Sequence, residues 1–297
     1  MKVLASKVWA YLLTVLIAVV NISCTESKSI DTKDIAPAMQ TFCVALDLSD
    51  RIADEQQVAN DLIAIKRVFE VFEQRVKDQR YIRSRDKFMV NVIPQTGTNK
   101  EVERMAASIS IDMASIPIKQ KLTEFKEFKK KLLGTLRGIY KTARKPQLSD
   151  YSGANIWKYL NDILPEHVKS SSGIFRLLLV SDCYIELDNT QEVFSRGGQT
   201  NHMNWSLMDK LREADSWRSS PCDILLLPER LCRQDLSRLD VVLIGLLPKN
   251  PYPFETSLLE KVWESLLDRM GVGSYHIIPY EGNDTHLIRK TLTDTLT

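Results

Sequence analysis

Apolar residues in this chain follow two spacings that alternate along most of its length. Continuous apolar runs predict buried strands at 41–46, 87–93, 175–180, 240–246 and 274–278. Apolar residues at three-to-four spacing predict amphipathic helices at 56–76, 122–143, 155–164 and 254–270. Residues 108–116 alternate between apolar and polar side chains, which predicts a short edge strand.

This order of elements predicts the fold class. Helices that alternate with apolar strands are typical of an α/β fold, with a doubly wound, mainly parallel sheet of Rossmann-like form and helices on both faces. We find no internal repeat and no Gly/Ser-rich or Pro-rich linker after residue 37, so one domain is expected over 38–297. A polar stretch near 186–220 interrupts the pattern and is interpreted as an insertion.

The N-terminus has the order of a secretory signal. Two lysines and then the apolar run 8–20 precede Cys24. That run is shorter than the about 20 residues that a membrane-spanning helix needs. Cys24 resembles the lipid-attachment cysteine of bacterial lipoproteins, which implies a signal peptide at 1–23, a polar tether at 24–37 and a lipid anchor in the cell envelope, periplasmic or surface-exposed. An uncleaved anchor and ordinary signal cleavage remain alternatives.

Composition narrows the classes of partner. With 44% hydrophobic and 26% charged residues, the chain of 297 residues can bury a substantial core. Its net charge of +2 gives no reason to expect a nucleic-acid partner, which requires a concentrated basic face. Export would permit disulfides. Cys222 and Cys232 flank an apolar run and are a candidate pair, whereas Cys43 lies in a predicted strand and is expected to be a free core thiol.

Oxygen-bearing side chains occur at three places that the predicted fold would bring together. Asp47 and Ser49 follow the first strand, Ser152 precedes the helix at 155–164, and Asp182 follows the strand at 175–180. Open α/β sheets bind ligands outside the carboxyl ends of their strands. Carboxylate and hydroxyl oxygens suit a hard cation such as Mg²⁺. The sequence therefore suggests a metal site at one edge of the sheet.

The three segments also carry a resemblance to a known family. Asp47-Leu48-Ser49, the turn Ser152-Gly153-Ala154-Asn155-Ile156 and Ser181-Asp182-Cys183 resemble the motifs of the von Willebrand factor A domain, and the resemblance covers most of 41–280. It implies a metal ion-dependent adhesion site, in which a cation, usually Mg²⁺, binds a carboxylate of the ligand. By this match Asp47, Ser49 and Asp182 would be metal ligands, and Ser152 would supply a further hydroxyl.

The chain departs from the family pattern at two positions. Arg51 stands where the family has a second Ser, and Ala154 stands where it has a Thr. Arginine stays protonated, so a guanidinium turned inward would oppose a bound cation. Three interpretations follow: an altered metal site; a degenerate site in which Arg51 pairs with Asp47 or Asp182 and replaces the ion; or unrelated polar residues on another α/β fold.

The expected function is binding to a protein or another ligand, not catalysis. The expected protein is an envelope-tethered binding module with a modified divalent-metal site, and the alternative is a metal-free scaffold subunit of an envelope complex. A metal-dependent phosphoryl-transfer enzyme comes third, because the second Asp of the haloacid dehalogenase pattern is replaced by Ser49. Trp205, in the insertion, is a candidate ligand contact. The alternative is that Trp205 and Trp217 pack a small core of the insertion's own.

Overall fold

The domain that follows the N-terminal segment forms one compact unit. A computed structural model describes residues 38–187, 190–203, 205–214, 216–218, 222–250, 252–280 and 285–296, and the chain from residue 38 onward is a single unit. The predicted signal peptide at 1–23, the tether at 24–37 and Cys24 lie outside the described residues. No helix within the described ranges is long and apolar enough to cross a membrane.

A six-stranded sheet forms the centre of the domain. Its strands are β1 (Gln40–Leu46), β2 (Lys87–Val92), β3 (Ile111–Asp112), β4 (Ile174–Val180), β7 (Leu239–Leu246) and β8 (Ser274–Pro279). They lie in the order β3-β2-β1-β4-β7-β8. All neighbours pair in parallel except β3, which is antiparallel to β2 at one edge. The predicted mainly parallel α/β sheet is confirmed.

Helices cover both faces of this sheet. They are α1 (Glu55–Asp78), α2 (Lys100–Ser108), α3 (Lys121–Ala143), α4 (Ile156–Lys158), α5 (Leu164–Ser170), α6 (Trp205–Ala214), α7 (Glu229–Cys232), α8 (Glu255–Met270) and α9 (Thr285–Leu296). A π-helical turn, Tyr159–Ile163, joins α4 to α5. Side chains of β1 alternate between the two core clusters: Phe42 points to α1 and α3, and Cys43 to α4 and α8. Alternation within one strand therefore separates the two layers.

The segment between β2 and α3 differs from the prediction. Residues up to Ser108 belong to α2, and only Ile111–Asp112 pairs as a strand, so most of the predicted edge strand at 108–116 is wrong. Asn99 caps α2 by accepting a hydrogen bond from the Glu101 amide at 2.9 Å. The helix buries only Val102 and Ala106, so its apolar signal is too sparse to read from spacing.

The insertion packs onto the domain core. It contains the short strands β5 (Ser195–Arg196) and β6 (Gln199–Thr200), and then α6. Trp217 is buried in the core cluster that includes sheet residues, so the expectation that it packs a separate core of the insertion is wrong. Trp205 begins α6, and its side chain lies outside the described part of the structure. Cys222 and Cys232 are free thiols, so the candidate disulfide is not formed.

Candidate functional site

The segments singled out in the sequence meet at one edge of the sheet. The amide of Asp47 donates to the carbonyl of Val180 at 3.0 Å, which joins the loop after β1 to the end of β4. A Cβ added to Gly153 would lie 2.2 Å from the carbonyl oxygen of Glu186, so the turn at 153 touches the loop after β4. We define the carboxyl edge as residues 47–51, 94–96, 152–155, 181–187 and 247–250.

The carboxylate of Asp47 accepts hydrogen bonds from both loops that meet at this edge. Its side chain is buried, with 1% of the residue exposed. One carboxylate oxygen accepts a hydrogen bond from the Ser49 amide at 2.9 Å, and the other accepts one from the Ser181 hydroxyl at 2.6 Å. Ser49 therefore contacts Asp47 through its backbone amide. Ser152 lies in the turn beside Gly153 and makes no hydrogen bond to Asp47 or Asp182 in the described structure.

Arg51 pairs with a carboxylate of α1, not with the two predicted metal-binding carboxylates. Its guanidinium binds Asp61 of α1 through both carboxylate oxygens, at 2.7 and 2.9 Å, and donates to Gln57 at 2.8 Å. The hydroxyls of Tyr140 and Tyr280 each donate to Asp61 at 2.9 Å. The interpretation in which Arg51 pairs with the carboxylate of Asp47 or Asp182 is therefore wrong. Burial acts to lower the pKa of Arg51, but the charge and hydrogen bonds of Asp61, together with the charges of Asp47 and Tyr280, outweigh it, so the net pKa is raised.

A glycine in β7 makes room for this guanidinium. Gly245 has φ +98°, at a register shift between Ile244 and Leu246. A Cβ at this position would lie 2.8 Å from a guanidinium nitrogen of Arg51 and 3.1 Å from the Ser181 carbonyl oxygen. Both the backbone conformation and the close contact thus require glycine here.

A lysine outside the predicted site residues lies among the carboxylates of the carboxyl edge. The ammonium of Lys249 lies 2.8 Å from the carboxylate of Glu186, 3.0 Å from Asp50 and 3.4 Å from Asp182. Lys249 follows the predicted strand at 240–246, a position that could have marked it. The motifs of the metal hypothesis do not include a residue after this strand, so they do not point to Lys249.

Asp182 is the most deeply buried carboxylate around this lysine. The residue is 2% exposed. One carboxylate oxygen accepts from the Tyr184 amide at 3.2 Å, and the other is buried without a hydrogen bond. Burial raises the pKa of Asp182 to about 7; Lys249 and Arg51 act to lower it and Asp47 to raise it. The charge of this carboxyl group therefore changes near neutral pH.

The residues present do not fit the metal site that the resemblance implies. Both carboxylate oxygens of Asp47 are taken by hydrogen bonds, and Asp182 has an ammonium beside it. Over the described ranges, no group of three or more His, Cys, Asp or Glu side chains is arranged to hold a metal ion. Mg²⁺ requires near-ideal octahedral oxygen geometry, and these carboxylates, already engaged in hydrogen bonds or an ion pair, do not offer it.

Comparisons with known proteins give no family for the chain. No protein-family model matches it, and no curated protein matches it. The resemblance to the von Willebrand factor A domain therefore continues to rest on the residues of the chain.

An aromatic cavity lies beside the carboxyl edge. The side-chain amide of Asn155, at the edge, donates a hydrogen bond to the carboxylate of Glu192 at 2.9 Å. Glu192 lies two residues before Phe194. The rings of Trp157 and Phe194 meet edge to face with centroids 4.9 Å apart. They line a cavity of about 220 Å³. The insertion, α4 and the segment around α7 thus form this cavity together, which spacing along the chain does not indicate.

Three arginines line this cavity together with the aromatic rings. Its lining includes Arg196, Arg230 and Arg233. Arg196 pairs with Glu229 at 2.6 Å, and Arg230 lies 3.2 Å from Glu166. Arg233 is exposed and has no ion-pair partner within the described ranges. The cavity therefore combines an apolar surface with one arginine that forms no ion pair with an acidic side chain within the described ranges.

Replacing Asp182 by Asn is expected to remove a pH dependence of stability. An unfolded Asp has a pKa of about 3.9, whereas the folded Asp182 has a pKa of about 7. Between these values the folded chain holds a proton that the unfolded chain has released, so stability falls as pH rises through this window. Urea unfolding of both proteins from pH 4.5 to 8 would measure this. A difference between them that stays constant over that range would contradict the prediction.

Proposed function

We propose that this chain is a von Willebrand A-like module that binds a protein partner, without catalysis, through the insertion beside the carboxyl edge. The observation that carries the proposal is the cavity in which exposed Phe194, 45% accessible, meets Trp157, with three arginines in the lining. Exposed aromatic and arginine side chains are enriched among the residues that dominate protein interfaces. The N-terminal sequence supports a lipid anchor at Cys24 in the cell envelope as part of the same proposal.

The loop after β4 supports the family resemblance. Cys183 stands where the family has a Gly, and it adopts φ +74°, the left-handed conformation that favours Gly. A Gly at this position would adopt the same conformation, which supports the resemblance. The side chain that replaces Gly is small and fully buried in the core.

The cavity indicates the chemistry of the partner. At about 220 Å³, it is smaller than the about 300–1,000 Å³ of small-molecule sites, so a single side chain of a partner suits it better than a cofactor. Arginine binds carboxylates in a two-pronged geometry, and Arg233 is available for such a contact. We therefore propose a partner segment with an apolar side chain next to an acidic residue.

The phosphoryl-transfer hypothesis gains no support from the site. Its nucleophile would be Asp47, which is 1% exposed and has both carboxylate oxygens hydrogen-bonded. Such an oxygen is neither accessible nor free to attack a phosphorus atom. A metal-free scaffold subunit, in contrast, is compatible with the same binding surface.

Photo-crosslinking from the cavity tests the proposed binding. A photoreactive residue at Ser195, exposed next to Phe194, is expected to capture a defined partner in cells that produce the protein. The same residue at exposed Ser172, before β4 and at the opposite end of the strands, is the matched control. The double change Phe194→Ser and Arg233→Gln should lower capture at Ser195 at least tenfold, because a hot spot contributes about 2 kcal/mol or more.

Two results would contradict the proposed binding surface. One is the same set of captured proteins from Ser195 and Ser172. The other is unchanged capture at Ser195 after the double substitution, provided that circular dichroism shows a folded variant.

A further inference from the structure

We propose that the domain rests on a membrane surface with anionic lipids through the end of the sheet opposite the carboxyl edge. We define this amino edge by two segments, residues 80–87 and residues 117–122. The first leads into β2 and the second into α3, so both lie where these elements begin. The amino edge shares no residue with the carboxyl edge or the aromatic cavity. The inference therefore goes beyond the proposed binding of a protein partner.

Large apolar side chains are exposed at the amino edge. Ile82, Ile118 and Leu122 are exposed by 51%, 65% and 44%. Lys121 joins the segments that carry them: its amide donates to the Ile118 carbonyl at 3.4 Å, and its ammonium donates to the Ile82 carbonyl at 3.2 Å. Leu122 is the next residue of the chain. Apolar side chains that cluster on a surface in this way mark contacts with a protein or a membrane.

The loop that carries Ile82 has a fixed shape. Arg80 and Tyr81 adopt φ +52° and +59°, a left-handed conformation that is unfavourable for residues other than Gly. The Tyr81 ring packs edge to face on Phe125, with centroids 5.5 Å apart. The buried ammonium of Lys121 donates to two carbonyls of the loop, at 3.2 and 2.6 Å. These contacts hold the loop while Ile82 stays exposed, so the surrounding structure maintains that exposure.

Positive charge surrounds these apolar side chains. The two segments hold one acidic residue, Asp86, which is buried and pairs with Arg75 of α1 at 3.2 Å. The exposed basic residues of the two segments are Arg80, Arg83, Arg85 and Lys119. A surface that combines apolar side chains with Lys and Arg matches the headgroup layer of an anionic membrane, where the cations face phosphates and the apolar groups enter the acyl boundary.

The described chain also begins beside this edge. Arg75 donates to the carbonyl of Ala38 at 3.2 Å and to the carboxylate of Asp86 at 3.2 Å, which places Ala38 next to the segment before β2. Cys24, the proposed site of lipid attachment, precedes Ala38 by 14 residues. Chain connectivity therefore limits the distance between the lipid and Ala38 to about 50 Å. By connection, the amino edge is the part of the domain nearest to the proposed anchor.

Photo-crosslinking of the whole chain in vesicles tests the inference. A photoreactive residue at Ile118 is expected to form lipid adducts, measured by mass spectrometry, in vesicles of phosphatidylcholine and phosphatidylglycerol. In vesicles of phosphatidylcholine alone the yield should fall at least about tenfold, because each Lys or Arg near an anionic surface contributes about fivefold. The same residue at exposed Thr96, beyond the carboxyl end of β2, is the matched control and should give few lipid adducts in either vesicle.

Removal of charge from the amino edge should lower the same yield. The double change Arg85→Gln and Lys119→Gln removes two exposed cations and should reduce lipid adducts at least about tenfold in the anionic vesicles. The double change Lys141→Gln and Lys145→Gln is the control: it removes the same charge from exposed positions near the far end of α3, about 30 Å along the helix. That control should leave the yield unchanged.

The inference is overturned by either of two results. One is an equal yield of lipid adducts from Ile118 and Thr96 in the anionic vesicles. The other is crosslinking of Ile118 to a second copy of the chain in place of lipid, which would assign the amino edge to self-association. If circular dichroism shows that the charge variant is unfolded, the photoreactive residue at Ile82 of the otherwise unchanged chain decides: lipid adducts support the inference, and their absence rejects it.

Discussion

The change Arg51→Met is expected to lower the free energy of unfolding by about 3–5 kcal/mol. The guanidinium and Asp61 are both buried, with side-chain exposures of 1% and 0%. Without the guanidinium, the Asp61 carboxylate would keep only the hydroxyls of Tyr140 and Tyr280 as partners and would be a buried charge without a counter-ion. Urea unfolding at pH 7, followed by tryptophan fluorescence, would measure the loss.

A matched surface pair provides the control for Arg51. Arg104 pairs with Glu101 at 2.6 Å, but the two side chains are 74% and 46% exposed. Arg104→Met is therefore expected to change stability by no more than about 0.5 kcal/mol. Adding Asp61→Asn to Arg51→Met should restore part of the loss, because it removes the uncompensated charge. Equal losses from Arg51→Met and Arg104→Met would show that the buried pair has no structural role.

The change Gly245→Ala is expected to lower the free energy of unfolding by about 2–3 kcal/mol. At φ +98° an alanine is strained whatever the space around it. Its Cβ would also lie 2.8 Å from the Arg51 guanidinium, which would have to move away from Asp61. The same urea experiment would measure this loss, and part of it should vanish in the Arg51→Met background because the two positions share a contact.

Gly134 in α3 provides the opposite control. It has no atom within 4 Å of an added Cβ, and it lies inside a helix. Gly134→Ala should therefore raise stability by about 0.5–1 kcal/mol, because alanine loses less conformational freedom on folding. A Gly245→Ala protein that is as stable as Gly134→Ala would contradict the close contact between Gly245 and Arg51.

These predictions assign different roles to the two cations near the first predicted site. Arg51 was proposed as the residue that replaces an ion, but its charge is used inside the core, where it joins the loop after β1 to α1. Lys249, from the loop after β7, contacts the carboxylates at the surface edge. Loss of Arg51 should therefore affect global stability more than loss of Lys249, because Arg51 and Asp61 are both buried whereas Lys249 is partly exposed.

The sequence by itself determined the elements and the edge at which they meet. Apolar runs and three-to-four spacing record which side of each segment is buried, so β1, β4, β7 and the long helices α1, α3 and α8 follow from the pattern with small errors at their ends. Parallel strands bring their carboxyl ends to one side of a sheet. That rule placed Asp47, the turn at 153 and Asp182 together, and the contacts between their loops confirm it.

Only the tertiary structure decided which side chains pair. Arg51 binds Asp61, the ammonium of Lys249 lies between loops that follow different strands, and Phe194 meets Trp157. The spacing of residues within a segment records burial, but it holds no information on which buried groups from different segments approach each other. Those pairings depend on loop paths and side-chain directions, and these are fixed only when the layers pack against the sheet.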